Sequence, residues 1–144
     1  MKDLITGSDA PAPPPRSARR QHVLIIGGGA SGVLMATHLL SQTGRDFHIT
    51  LIERRSLLGC GLAYSTEDPD HLLNTRVHNM SAFPDAPQHF HDWLTARPDG
   101  AQITDQCFVS RATYGAYLAD LLKPWTTGRQ PSRLRCVTDD CLRL

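Results

Sequence analysis

An α/β fold, with about three parallel strands in the order 3-2-1 and helices packed on them, follows from three observations. An apolar run, Val23 to Ile26, passes directly into Gly27-Gly28-Gly29-Ala30-Ser31-Gly32. A helical pattern comes next. A second apolar run, Phe47 to Ile52, then ends on an acid, Glu53. Strand, glycine turn, helix and strand in that order make a βαβ unit, whose two strands must lie parallel.

Each part of the unit has a physical task. Gly27 permits the tight turn out of the first strand, Gly29 lets backbone approach a pyrophosphate, and Gly32 lets the helix pack closely. The N–H groups at the helix start, from Ala30 and Ser31 onward, point toward phosphates, and the helix dipole favours their charge. Glu53 lies 21 positions after Gly32, where a carboxylate can accept hydrogen bonds from a ribose. A lone glycine motif is weak, but the flanking strands, helix and acid make this a dinucleotide site of the Rossmann kind. An acid at Glu53 favours a bare ribose, as in FAD or NAD, although Arg54 and Arg55 soften the objection to a 2′-phosphate.

The first helix is expected from Ala30 to Ser41, burying Val33, Leu34, Thr37 and Leu40 or their neighbours, with Gly44 closing the turn into strand two. From Arg54 to about Pro84 the chain is punctuated by Gly59, Gly61 and Pro69 and reads as a long loop. It carries Leu62, Tyr64, Leu72, Leu73, Val77, Met80 and Phe83, too much apolar surface for plain disorder, so it is expected to fold down on the domain. Asp85 can cap a helix, with Pro87 early in it and Gln88 three residues after the cap; Phe90, Trp93 and Leu94 then form a buried stripe. A further helix is expected over Arg111–Lys123, with Tyr114, Tyr117, Leu118, Leu121 and Leu122 inward and Pro124 ending it. Leu134 to Thr138 reads as a third short strand.

Composition bounds the function. A chain of 144 residues holds one domain with a modest core. Residues 1–20, with Pro11, Pro13, Pro14 and Pro15, read as a flexible tail, and the domain as 21–144. A net charge of +1 gives no reason to expect nucleic acid or an acidic membrane surface. No apolar stretch reaches the roughly 18 residues of a spanning helix. Arg19-Arg20 before an apolar run resembles a twin-arginine signal, but that run is the first strand and leads into the phosphate loop. Cys60, Cys107, Cys136 and Cys141 contain no CxxC pair and fit reduced thiols in a cytoplasmic protein. Cys60 between two glycines reads as a small side chain in a tight loop. His71, His78, His89 and His91 match no familiar metal spacing. Tyr114 and Tyr117 read as core or cofactor-wall packing, and Arg111 as a solvated helix-start residue or a phosphate contact.

Several separated segments then occur in a telling order: the phosphate loop with Glu53-Arg54, Gly59 to Ser65, His71-Leu72-Leu73-Asn74, Met80 to Asp85, His89-Phe90, Trp93-Leu94, Phe108 to Arg111, and Tyr114 to Leu118. Together they resemble the N-terminal part of the bacterial FAD/NAD(P)-binding family of flavoproteins. More distantly they resemble flavin-containing and N-hydroxylating monooxygenases. The resemblance covers residues 21 to 138 and implies an extended FAD. Gly27, Gly28, Gly29, Ala30, Ser31 and Gly32 would hold its pyrophosphate, Glu53 its ribose, and Arg54 the adenine side. Gly61 and the loop around it, with Asn74, would run beside the flavin end; Asn74 is equally readable as a loop-backbone partner.

The family pattern continues with a β-meander, a returning strand and a region for nicotinamide and substrate. The sequence shows none of these, and its single GxGxxG leaves no separate site for NAD(P)H as reductant. It therefore reads as part of an FAD-dependent oxidoreductase, a monooxygenase being one form of that, from a truncated frame or a split protein. Read otherwise, it is a non-catalytic FAD- or NAD-binding module that needs a completing chain or self-associates. The small-molecule substrate is not legible.

Overall fold

The computed structural model describes residues 20–127 and 131–143; the Pro-rich segment up to residue 19 lies outside them. Three parallel strands form one sheet: β1 (Gln21–Ile26), β2 (Phe47–Glu53) and β3 (Leu134–Thr138), in the order β1-β2-β3. This is the expected 3-2-1 order. The register pairs Val23 with Ile49 and Ile49 with Leu134, and Ile25 with Leu51. Alternation along the strands therefore gathers these residues on one face. Helices cover that face, leaving Ile49 and Leu51 buried. On the opposite face Leu24 and Ile26 are 53% and 46% exposed. Parallel sheets usually have both faces covered; among the described residues this one has a single covered face, and β1 stands at an edge.

Helix α1 (Ala30–Ser41) buries Val33, Ala36, Thr37 and Leu40. Their spacing of i, i+3, i+4, i+7 is one helical face. Ala36 takes the inward place expected for Leu34, which is half-buried. Gly44, at φ 77°, makes the turn into β2.

The long segment after β2 does fold down. It is stitched to the stretch before the next long helix: Leu72 bridges Ser110 in antiparallel fashion, Leu73 N–H donates to Val109 O (2.9 Å), and Val77 N–H donates to Cys107 O (3.0 Å). These bonds satisfy backbone that would otherwise be buried unpaired. Leu73, Val77 and Ala82 enter the core, whereas Leu62 and Leu72 remain exposed.

Helix α2 spans His89–Thr95 and buries Phe90 and Leu94. Its start differs from expectation: Asp85 caps nothing, because Ala86 N–H bonds Phe83 O and His89 N–H bonds Ala86 O, forming two successive turns. Helix α3 (Arg111–Asp120) is capped by Ser110, whose Oγ accepts Thr113 N–H at 3.2 Å. Pro124 does not terminate it. The helix ends at Asp120, tightens through Leu121 and Leu122, and Pro124 sits in the first turn of a short helix α4 (Lys123–Thr126). A missing N–H costs nothing at that position. Leu121 and Leu122 are buried, as expected. Phe90 centres an aromatic cluster, 5.1 Å from Tyr114 and 4.7 Å from Tyr117 between ring centroids.

Candidate dinucleotide site

The site lies where β1 and β2 end. Gly27, at φ 97°, turns the chain out of β1 in a conformation that favours glycine, and its N–H donates to Ile52 O at 2.8 Å. Gly29 is the N-cap of α1, and the first intrahelical bond runs from Val33 N–H to Gly29 O at 3.0 Å. The amides of Ala30, Ser31 and Gly32 precede that bond and so stand outside the helix ladder. No acidic residue occupies the first turn, leaving the positive end of the dipole uncompensated there.

Two close approaches shape the loop. A Cβ on Gly32 would lie 1.9 Å from Gly27 O and 3.3 Å from Ile25 Cγ2. Gly32 thus lets α1 seat on the strand-to-helix turn itself. A Cβ on Gly29 would lie 3.4 Å from Gly61 Cα, and one on Gly61 3.2 Å from Gly29 Cα. The two glycines let the phosphate loop and the loop after Glu53 approach backbone to backbone.

Glu53 is bound before any ligand arrives. Its Oε2 accepts Gly28 N–H at 2.7 Å and its Oε1 accepts Arg55 N–H at 3.1 Å. The Arg55 N–H lowers its pKa most; the Gly28 N–H and the charges of Arg54 and Arg55 act in the same sense, while partial burial opposes them. The net shift is below the ordinary value near 4.5. An ionised carboxylate has about four lone-pair sites, so two remain open to further donors.

Two depressions meet at Ile26 and Gly27. One, of about 460 Å³, runs along the start of α1 past Gly29, Ala30, Ser31 and Gly32, and is walled opposite by Cys60 to Tyr64. The other, of about 230 Å³, contains Glu53 and Arg54 and is closed by Asp139, Asp140 and Cys141. Gly27, Gly29, Ala30, Ser31, Gly32, Glu53, Arg54 and Gly61 are thereby brought together. Gly28 is buried beneath the surface and serves through its amide. Asn74 is exposed and lines neither depression. The Asp139–Cys141 wall escaped sequence reading. Its signal was the third strand: a parallel β3 beside β2 must deliver its following residues to Glu53, and ligands in such sheets sit at the carboxyl ends of strands.

The other candidates have structural roles. Arg111 is neither free in solvent nor turned to the phosphate loop; its Nε donates to Leu72 O (3.3 Å) and its Nη1 to Ala63 O (3.5 Å), which ties down the loop. Tyr117 is fully buried, with its hydroxyl accepting Ala82 N–H (3.1 Å) and paired with His89 Nδ1 (2.8 Å). Burial raises the pKa of both Tyr114 and Tyr117, so they stay neutral phenols. Burial likewise raises the Cys60 thiol, which favours the unreactive form. His78 and His91 pair with the carbonyls of Asp105 and Ile103. Among the described residues no three His, Cys, Asp or Glu side chains are grouped to hold a metal, and no helix is long and apolar enough to cross a membrane.

The FAD-NAD(P)-binding family matches residues 24–144. No curated protein matches the chain. Among solved structures, S-allyl-L-cysteine S-oxygenase from Allium sativum is similar, with 22% identity and a TM-score of 0.56 over 88% of this chain. The chain spans 30% of that protein's length. At this identity the likeness is one of fold.

Proposed function

The chain belongs to the FAD-NAD(P)-binding family, and on that premise we propose that it binds FAD through the ADP half, as part of an oxidoreductase. One observation carries this reading: the open amides of α1 and the ionised Glu53 border two depressions that join at Ile26 and Gly27. In this reading the amides from Gly29 to Gly32 hold the pyrophosphate, with the helix dipole behind them. Glu53 accepts the ribose hydroxyls with its remaining lone pairs, and Arg54 lies along the adenine. Gly61 and its loop cover the outer side of the pyrophosphate and extend the trough toward the flavin. The flavin supplies the redox chemistry when bound, while these residues bind and orient it. Oxygen transfer of the monooxygenase kind is the form of that chemistry suggested by the segment order after Glu53. Asn74, outside both depressions, has its place beside the flavin only in this longer trough.

The preference for FAD over NAD is supported by the order of segments after Glu53, which a plain NAD domain would lack. Equilibrium titration tests this. FAD and ADP should bind, and FMN, which lacks the adenosine, should bind poorly. Tighter binding of NAD than of FAD would refute the preference.

The exposed Leu24 and Ile26 on an edge strand favour a second reading alongside the first: the site is a binding module that works once another chain, or a second copy, covers β1. A preparation that binds ADP but takes up FAD only after a partner is added would favour it.

A further inference from the structure

We infer that Asp139 and Asp140 make the adenosine end of the site reject a 2′-phosphate, so that it takes dinucleotides with an unmodified ribose. The inference rests on the dinucleotide reading above and deepens it.

The placement follows from the sheet. β3 runs parallel to β2 with Thr138 beside Glu53, and the next residue, Asp139, donates its N–H to Glu53 O at 3.1 Å. The chain leaving β3 is therefore laid across the end of β2. Asp139 Oδ1 then accepts Asp140 N–H at 2.8 Å, which turns both residues into the wall of the 230 Å³ depression. Among the described residues that line it, three carboxylates stand against one guanidinium, that of Arg54. Arg55 stands outside the lining, its Nη1 donating to Ser65 Oγ at 3.4 Å; its charge reaches Glu53, and with both arginines counted the carboxylates still outnumber the guanidiniums.

Glu53 has no freedom to swing aside. Its two oxygens are held by Gly28 and Arg55 N–H groups, so it stays at the position a ribose 2′-substituent would approach. A phosphate monoester carries about −1.5 to −2 charge at pH 7. It would enter a depression lined by an excess of its own sign; Asp139 and Asp140 are exposed there, so the repulsion acts through solvent and is screened by salt. A ribose hydroxyl there donates to the same carboxylates. One set of groups therefore attracts one ligand and repels the other.

The test uses the full chain with ADP-ribose and 2′-phospho-ADP-ribose, which differ only in the phosphate. ADP-ribose should bind at least about 10-fold more tightly at low salt, as like-charge juxtaposition in a site produces. That ratio should narrow as salt is raised, because screening weakens repulsion but leaves shape unchanged. In the double variant Asp139→Asn/Asp140→Asn the ratio should also narrow. The carboxamide oxygen introduced at position 139 can still accept the N–H of the next residue, so the turn is kept while the charge is removed. Equal affinity for the two probes in the unmodified chain overturns the inference while leaving dinucleotide binding intact. A ratio unchanged by the double substitution overturns the assignment to Asp139 and Asp140. Failure of both ADP-ribose and FAD to bind overturns the dinucleotide reading and this inference with it.

Discussion

Replacing Gly32 by alanine separates close packing from helix propensity, because the two act in opposite directions. Propensity alone favours alanine over glycine by up to about 1 kcal/mol. The structure opposes this. The new Cβ would fall 1.9 Å from Gly27 O and 3.1 Å from Gly27 C. Carbon–oxygen contacts run at about 3.3–3.6 Å, so a gap of at least about 1.4 Å must open. The obstacle is backbone held by the Gly27 N–H to Ile52 O bond, and Ile25 Cγ2 at 3.3 Å stands behind it. Relief therefore requires α1 to lift off the turn, loosening Val33 and Ala36, both fully buried. Overpacking of this kind costs about 1–3 kcal/mol. With a urea dependence of about 2 kcal/mol/M, the unfolding midpoint should fall by about 0.5–1.5 M. Nucleotide affinity should fall with it, since the first-turn amides move. Gly29→Ala is the control: its Cβ meets Gly61 Cα at 3.4 Å, an ordinary contact, so its midpoint should stay within about 0.3 M. A Gly32→Ala midpoint equal to or above that of the unmodified chain would refute the reasoning.

Three further outcomes are expected. Glu53→Ala leaves the Gly28 and Arg55 N–H groups without their charged acceptor and should cost about 1–3 kcal/mol in denaturant unfolding. Because the folded-state pKa of Glu53 is depressed, its contribution is fully present above the ordinary value near 4.5 and is lost as pH falls through the lower folded value; the stability gap between Glu53→Gln and the unmodified chain should close in acid, and a gap that widens there contradicts the assignment. Tyr117→Phe strands Ala82 N–H and the His89 ring in a buried setting and should cost about 1–3 kcal/mol; urea denaturation reads it, with no change meaning that both groups find other partners. Leu24→Lys places a charge on the exposed edge strand and should reduce self-association in sedimentation velocity, whereas a chain already monomeric at tens of micromolar removes the premise.

Local chemistry made the first half of the domain readable. The β1–α1–β2 order and the bounds of α1 follow from apolar periodicity and glycine placement, which act over a few residues, and the same periodicity marks the third strand near residue 136. After residue 84 the start of α3 at Arg111 is as expected, but the start of α2 and the end of α3 were less legible. Asp85 has every feature of a cap, yet the turns through Phe83, Ala86 and His89 use the backbone differently. Pro124 reads as a stop, yet it falls where a helix start tolerates it.

By itself the sequence determined that a glycine turn joins a strand to a helix, that an acid ends the second strand, and that an apolar loop must fold back on the domain. Only the tertiary structure decided that Glu53 grips Gly28, that Gly29 meets Gly61, and that Asp139 and Asp140 wall the depression beside Glu53 while Asn74 stands apart. These contacts join residues far apart in the chain, 25 positions in the case of Gly28 and Glu53. Short periodic patterns carry no information about which distant backbones come within hydrogen-bonding range. That choice is made by the sheet, whose register brings the ends of β1, β2 and β3 to one edge.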